Sequence, residues 1–279
     1  MTHRQDESNT RLFQRLLRET GEVDAAIGLL VARTNLTQRR AEALACSLGH
    51  IPARYRYNEG TLGCLGQRRL LEASVMIVGL GGLGGYVLEQ LARCGLGRMV
   101  AVDPDRFEVT NLNRQVLADH AAIGFPKVET AGERVAAVNR GVEFIGQEVR
   151  VEDLPEAAYE GVELIFDCLD QVPSRLHLEE AGTRLNIPIV HGAIGGWYGQ
   201  VALVAPASGT LTALYGTKEA GIEKNLGNPT FTPAVTASLM VSEGVKVLLG
   251  KPVRQGGVFF VDLLTNTWEF VPLATVCRG

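Results

Sequence analysis

Residues 78–84 read VGLGGLG, and Gly79, Gly81 and Gly84 fall on the G-x-G-x-x-G template, after an apolar stretch and ahead of a helical one. Glycines in such a turn let backbone approach a phosphate, and the helix start behind them offers unpaired N–H groups and a positive dipole end. Asp103 closes the next apolar stretch, where a carboxylate accepts hydrogen bonds from ribose hydroxyls. A dinucleotide and ATP both fit this much. NLNRQ (111–115) and GFPK (124–127) then supply Asn111, Asn113, Arg114, Gln115 and Lys127. A nicotinamide cofactor needs few cations, because helix N–H groups serve its pyrophosphate. A triphosphate gains negative charge on its outer phosphates as pyrophosphate leaves, so a placed Arg and Lys favour ATP. FDCLD (166–170) adds Asp167 and Asp170 at the carboxyl end of a strand, with Asp170 the choice for Mg²⁺ and Asp167 or Ser174 the choice to cap the following helix.

The elements that must position these groups alternate. Strands are expected at 74–79, 98–103, 143–149, 162–168 and 187–193, and helices at 82–95, between 110 and 139, and at 174–186. Continuously apolar strands separated by helices predict a doubly wound, mostly parallel Rossmann-like α/β sheet covered on both faces. WYGQVALVAP and VFFVDLLTNTWEFVPL read as an antiparallel C-terminal extension, the latter a hairpin turning near Thr265 and Asn266. A helix is expected over 232–249, with Thr232 as cap and Pro233 in its first turn, after a Gly/Pro/Thr-rich loop at 206–231. Residues 10–50 read as helical, so the expected organisation is a small helical extension, 1–53, followed by one domain, 54–279.

Composition excludes several classes. Of 279 residues, 46% are hydrophobic and 21% charged, which is ordinary for a globular chain, and a net charge of −4 gives no general surface for nucleic acid or anionic membrane. The helical pair near the N-terminus therefore does not argue for DNA binding. No apolar run suits a signal peptide or a bilayer span, so a cytoplasmic protein is expected. The cysteines at 46, 64, 94, 168 and 277 stand singly without a C-x-x-C pair, and neither a disulfide framework nor zinc is expected.

RYNEGTLGCLGQ, VMIVGLGGLGGYVLEQLARCGLG, VDPDRFEVTNLNRQ, GFPKVET, DCLDQVPSR and HGAIGGWYGQV, in this order, resemble the ThiF/MoeB/HesA family of adenylyltransferases, relatives of ubiquitin-activating enzymes. The resemblance covers about 54–272. It implies a homodimer that uses Mg²⁺ and ATP to adenylate the C-terminal glycine of a ubiquitin-like sulfur-carrier protein ending in Gly-Gly, releasing pyrophosphate. It further implies that Gly79, Gly81, Gly82, Leu83 and Gly84 form the nucleotide turn and that Asp103 holds the ribose. Asp105, Asn111, Arg114 and Gln115 would line the phosphate side, Lys127 would stabilise departing pyrophosphate, and Asp170 would be the magnesium carboxylate. In the family reading 206–231 is the loop that crosses over the active site.

Three departures qualify the resemblance. The two C-x-x-C zinc pairs of many members are missing, and 194–276 contains no cysteine, so the reaction is expected to stop at the acyl-adenylate. Cys94 and Cys168 read as small buried hydrophobes, and Cys277 as the one mobile thiol. Where relatives carry an arginine that reaches the partner subunit's ATP, RYRYN (54–58) has Tyr57, flanked by Arg54 and Arg56. Trp197 and Tyr198 either line a channel for an extended tail or cover the sheet, and His191 reads as a satisfied strand-end histidine. Competing functions are adenylation of a peptide C-terminus or of a modified tRNA adenosine, the latter disfavoured by a pI of 5.8, then a non-catalytic dimeric adaptor and a Rossmann oxidoreductase.

Overall fold

The computed structural model describes residues 3–216 and 226–273. Its strands β1 (Ser74–Val78), β2 (Arg98–Val102), β3 (Glu143–Gln147), β4 (Leu164–Asp167), β5 (Ile189–Gly195), β6 (Tyr198–Val204), β7 (Gly257–Asp262) and β8 (Thr267–Pro272) form one sheet in the order β3-β2-β1-β4-β5-β6-β7-β8. Strands β3, β2, β1, β4 and β5 run parallel, and β6, β7 and β8 join antiparallel. The mostly parallel sheet with an antiparallel extension is as the sequence predicts. Strand order reverses between β1 and β4, which opens a crevice beyond their carboxyl ends.

Helices cover both faces because the strands alternate between two cores. Val75 and Ile77 join a core with α5 (Gly82–Cys94), α6 (Lys127–Val138) and α9 (Phe231–Leu248), whereas Met76 and Val78 join one with α7 (Val172–Leu185) and α8 (Thr210–Tyr215). Helices α1 (His3–Thr20), α2 (Val23–Arg33) and α3 (Gln38–Ser47) bury Phe13, Leu16, Ile27 and Leu30 in a separate core, and α4 (Glu59–Glu72) leads into β1. Among the described residues no helix is long and apolar enough to cross a membrane.

Four local expectations change. The stretch 206–231 is not all loop, since α8 lies inside it. Helix α9 starts a residue early at Phe231, and Thr232 donates its hydroxyl to Gly196 O at 2.6 Å instead of capping. Helix α7 begins at Val172 with no side-chain cap: Asp167 is fully buried, and Ser174 Oγ donates to Glu152 at 2.5 Å. Strand β3 ends at Gln147, which frees Val149 and Arg150 to turn toward the crevice.

Candidate active site

The three template glycines do different work. Gly79 has φ +90°, and a Cβ there would meet Cys168 O at 2.7 Å, so it makes the tight turn where β1 passes β4. A Cβ on Gly84 would lie 1.7 Å from Gly79 O, so this glycine packs α5 onto the turn and does not line the crevice. At Gly81 a Cβ would meet only Gln115 Nε2, at 3.7 Å, which leaves that side open to a ligand. Gly81 is also the N-cap of α5 with no side-chain cap, so the first-turn N–H groups face the opening.

Around this turn lies an open cleft of about 320 Å³, within the usual range for small-molecule sites. Its walls include Gly79, Gly81, Gly82, Leu83, Asp103, Asp105, Asn111, Arg114, Gln115, Lys127 and Asp170. The fold thus brings together stretches far apart in sequence. Asn113 is off this wall, donating through Nδ2 to Asn228 O at 3.2 Å and accepting from Arg114.

Asp103 sits at the carboxyl end of β2, with Oδ2 accepting from Leu80 N at 2.6 Å and Oδ1 from Asp105 N at 2.8 Å. Burial pushes its carboxyl above the ordinary range, against the pull of Lys127 and these donors. Lys127 Nζ lies 3.0 Å from Asp105 Oδ2 and 3.7 Å from Asp103 Oδ1. Its side chain is 7% exposed, whereas that of Asp105 is 65% exposed, so the ammonium opens to solvent only on one side. Asn111 closes the 109–111 turn by accepting from Glu108 N, and Arg114 Nη1 donates to Thr110 O at 3.0 Å. Two buried acceptors, Gln115 Oε1 and Asn228 Oδ1, have no hydrogen-bond partner, and both residues line the cleft. Unmatched buried acceptors suit a ligand that brings donors.

Comparison with known proteins identifies the family of the chain. The ThiF family model matches residues 55–278. The chain belongs to the ThiF family. It is 38% identical over 229 residues to the sulfur carrier protein adenylyltransferase of Thermus thermophilus, covering 75% of this chain and 81% of that one. The SAMP-activating enzyme E1 of Haloferax volcanii is 32% identical over 220 residues, covering 77% and 82%. Among solved structures, E. coli MccB with ATP superposes with a TM-score of 0.66 over 90% of this chain and 84% of that one, at 18% identity, a likeness of fold. This ThiF-family chain is accordingly an ATP-dependent adenylyltransferase.

Sequence reading missed the far wall of the cleft. Val149, Arg150 and Val151 follow β3, and Arg175 and Ile194 come from α7 and β5. The available signal was topological, since every loop after a parallel strand opens on the same edge. The Trp197 ring lies 4.6 Å from that of Phe231 at the start of α9, and Tyr198 of β6 stacks on Phe260 of β7 at 5.6 Å, so neither aromatic lines the cleft and Tyr198 covers the antiparallel half. Burial pushes the thiols of Cys94 and Cys168 up, so both stay protonated and poorly nucleophilic; Cys277 lies outside the described residues.

The RYRYN stretch also resolves. Arg54 is bound within its own chain, to Asn139 Oδ1 and Val138 O, while Arg56 and Tyr57 stand exposed. Among the described residues no group of three or more His, Cys, Asp or Glu is placed to hold a metal. Asp170 is an exposed carboxylate at the cleft that belongs to no such group, a donor that fits Mg²⁺ shared with phosphates and does not fit an all-protein cage.

Proposed function

We propose that this adenylyltransferase activates the C-terminal glycine carboxylate of a ubiquitin-like sulfur-carrier protein ending in Gly-Gly. The observation that carries the reading is the gathering of Arg114, Lys127 and Asp170 on one cleft with the open glycine turn. The relatives' names support the carrier class.

In this reading the first-turn N–H groups of α5 and the Arg114 guanidinium bind the phosphates, Asp103 accepts from the ribose, and Gln115 Oε1 takes a ligand donor. A carboxylate oxygen of the terminal glycine attacks the α-phosphorus, the bond to the β-phosphate oxygen breaks, and pyrophosphate leaves with the electron pair. No proton moves, so the chain's task is to align two anions and neutralise their repulsion. Lys127 shifts from Asp105 toward the leaving phosphates. Asp170 would hold Mg²⁺, which supplies charge neutralisation to phosphate oxygens. With no cysteine in 194–276, the acyl-adenylate passes to an acceptor outside the chain.

The chain acts as a homodimer in this proposal. Exposed Tyr57 and Leu65 offer apolar area near α4, and Arg56 is the cation left to reach the second subunit's nucleotide. ATP–pyrophosphate exchange with a panel of Gly-Gly-ending proteins tests the substrate class. Exchange with one of them, lost when its terminal glycine is deleted, is the expected result; exchange driven only by a short peptide or a tRNA would move the acceptor to another class.

A further inference from the structure

The mechanism above leaves unused a set of buried polar side chains behind Asp170. Leu169, the residue before it, is gripped on both sides of its backbone. Its N–H donates to Asp167 Oδ1 at 3.1 Å, and its carbonyl accepts from Arg175 Nε at 3.2 Å and Nη2 at 2.7 Å.

The two grips are joined behind the loop. Arg175 Nη1 donates to the Tyr215 hydroxyl at 2.8 Å, that hydroxyl lies 2.9 Å from His191 Nε2, and His191 Nδ1 lies 2.7 Å from Asp167 Oδ2. An ionised Asp167 only accepts, which puts the imidazole proton on Nδ1 and leaves Nε2 to accept from Tyr215. The tyrosine oxygen then accepts from Arg175 and from Gln200 Nε2, the latter at 2.8 Å. The circuit runs from Leu169 N through Asp167, His191, Tyr215 and Arg175 back to Leu169 O. It places one positive and one negative group, each at most 1% exposed, at its two ends, with neutral rings between them.

Helix α8 delivers the tyrosine. Glu179, one turn after Arg175 on α7, accepts from Leu211 N at 2.7 Å and Thr212 N at 3.0 Å, which fixes the start of α8 and thereby Tyr215 at its end. The arginine guanidinium lies over the Tyr215 ring at 5.1 Å.

We propose that Asp167, His191, Tyr215 and Arg175 are positioning residues for adenylyl transfer, locking Leu169 so that the adjoining Asp170 carboxylate is presented to metal-bound phosphate. The inference rests on the reading of Asp170 as the magnesium carboxylate. Fixing a metal ligand through its supporting hydrogen bonds is a general way to raise metal affinity, and loss of such support costs about 10–100-fold.

Two variants and two measurements on the full chain test it. Tyr215→Phe keeps the ring and removes the hydroxyl; Arg175→Lys keeps the charge and removes the forked grip on Leu169 O. In both, amide hydrogen exchange at Leu169 and Asp170 in the metal-free protein speeds up. ATP affinity measured calorimetrically falls about tenfold with Mg²⁺ present in both, and in Tyr215→Phe, whose ring is off the cleft wall, it stays unchanged in EDTA. Unchanged amide exchange in both variants overturns the circuit. Faster exchange without any change in magnesium-dependent binding, in these variants and in Asp170→Ala alike, overturns the role of Asp170 instead. Equal losses with and without Mg²⁺ in Tyr215→Phe would mean that the circuit serves only to hold the fold, which also overturns the proposal.

Discussion

Helix α6 ends in two clusters of buried polar groups that obey opposite rules. At its C-terminal end Asn139 caps the helix and is 3% exposed, with Nδ2 donating to the Tyr55 hydroxyl at 3.0 Å and to Ala92 O at 3.0 Å. Tyr55 donates onward to Glu42 Oε2 at 3.2 Å, and Arg54 places a cation beside the last carbonyls, where the helix dipole favours it. At its N-terminal end Lys127 is the first helical residue, a cation where the dipole opposes one, held by Asp103 and the exposed Asp105. Nearby acceptors on Gln115 and Asn228 lack partners. One end is closed and satisfied, and it joins the N-terminal helices to the sheet. The other breaks local rules and faces an opening, which is the signature of a site that awaits a ligand.

The largest expected effect comes from Lys127→Ala. In the proposed mechanism this cation meets the departing phosphates, so its removal should lower ATP–pyrophosphate exchange about 10²–10³-fold. Asp103 keeps its two backbone donors and Asp105 is solvated, so thermal unfolding should stay a single cooperative transition. Full activity in this variant would erase the functional half of the comparison.

Tyr55→Phe is the mirror experiment. It strips the hydroxyl between Glu42 and Asn139 and leaves both partners buried, for a cost of about 1–3 kcal/mol in urea unfolding, with kcat and KM for ATP unchanged. A fall in kcat at undiminished stability would mean that α6 transmits between its ends.

The legible parts of the molecule were those that short stretches encode. The glycine turn and Asp103 lie directly after β1 and β2, and the cations of NLNRQ and GFPK fall in the connection that follows β2, so period and motif sufficed to place them on one edge. The buried circuit was not legible, although Asp167, His191 and Arg175 all fall inside recognised motifs. Asp167 and His191 become neighbours only through the β4–β5 register, and Tyr215 sits in a stretch read as loop. His191 is satisfied, as read, but its partner was a carboxylate assigned to a helix cap. The same limit applies to Arg150, whose place on the cleft follows from where β3 stops.

The smallest expected effect concerns the closed end of α6 and is visible only against pH. Burial of Glu42 raises its pKa above the ordinary 4.5, outweighing the hydrogen bonds from Gln38 and Tyr55 and the nearby charge of Arg54. The folded chain therefore binds this proton more tightly than the unfolded chain. The resulting stabilisation is complete below the unfolded-state value and is lost as pH rises through the raised native one. Glu42→Gln carries no charge at any pH and still accepts from Gln38 through its carbonyl oxygen. Its urea midpoint relative to the parent should shift in the variant's favour between pH 4 and pH 8, with ATP affinity unaltered at both. A pH-independent difference would place the Glu42 charge in a solvated environment and make the closed end of α6 as open as the other.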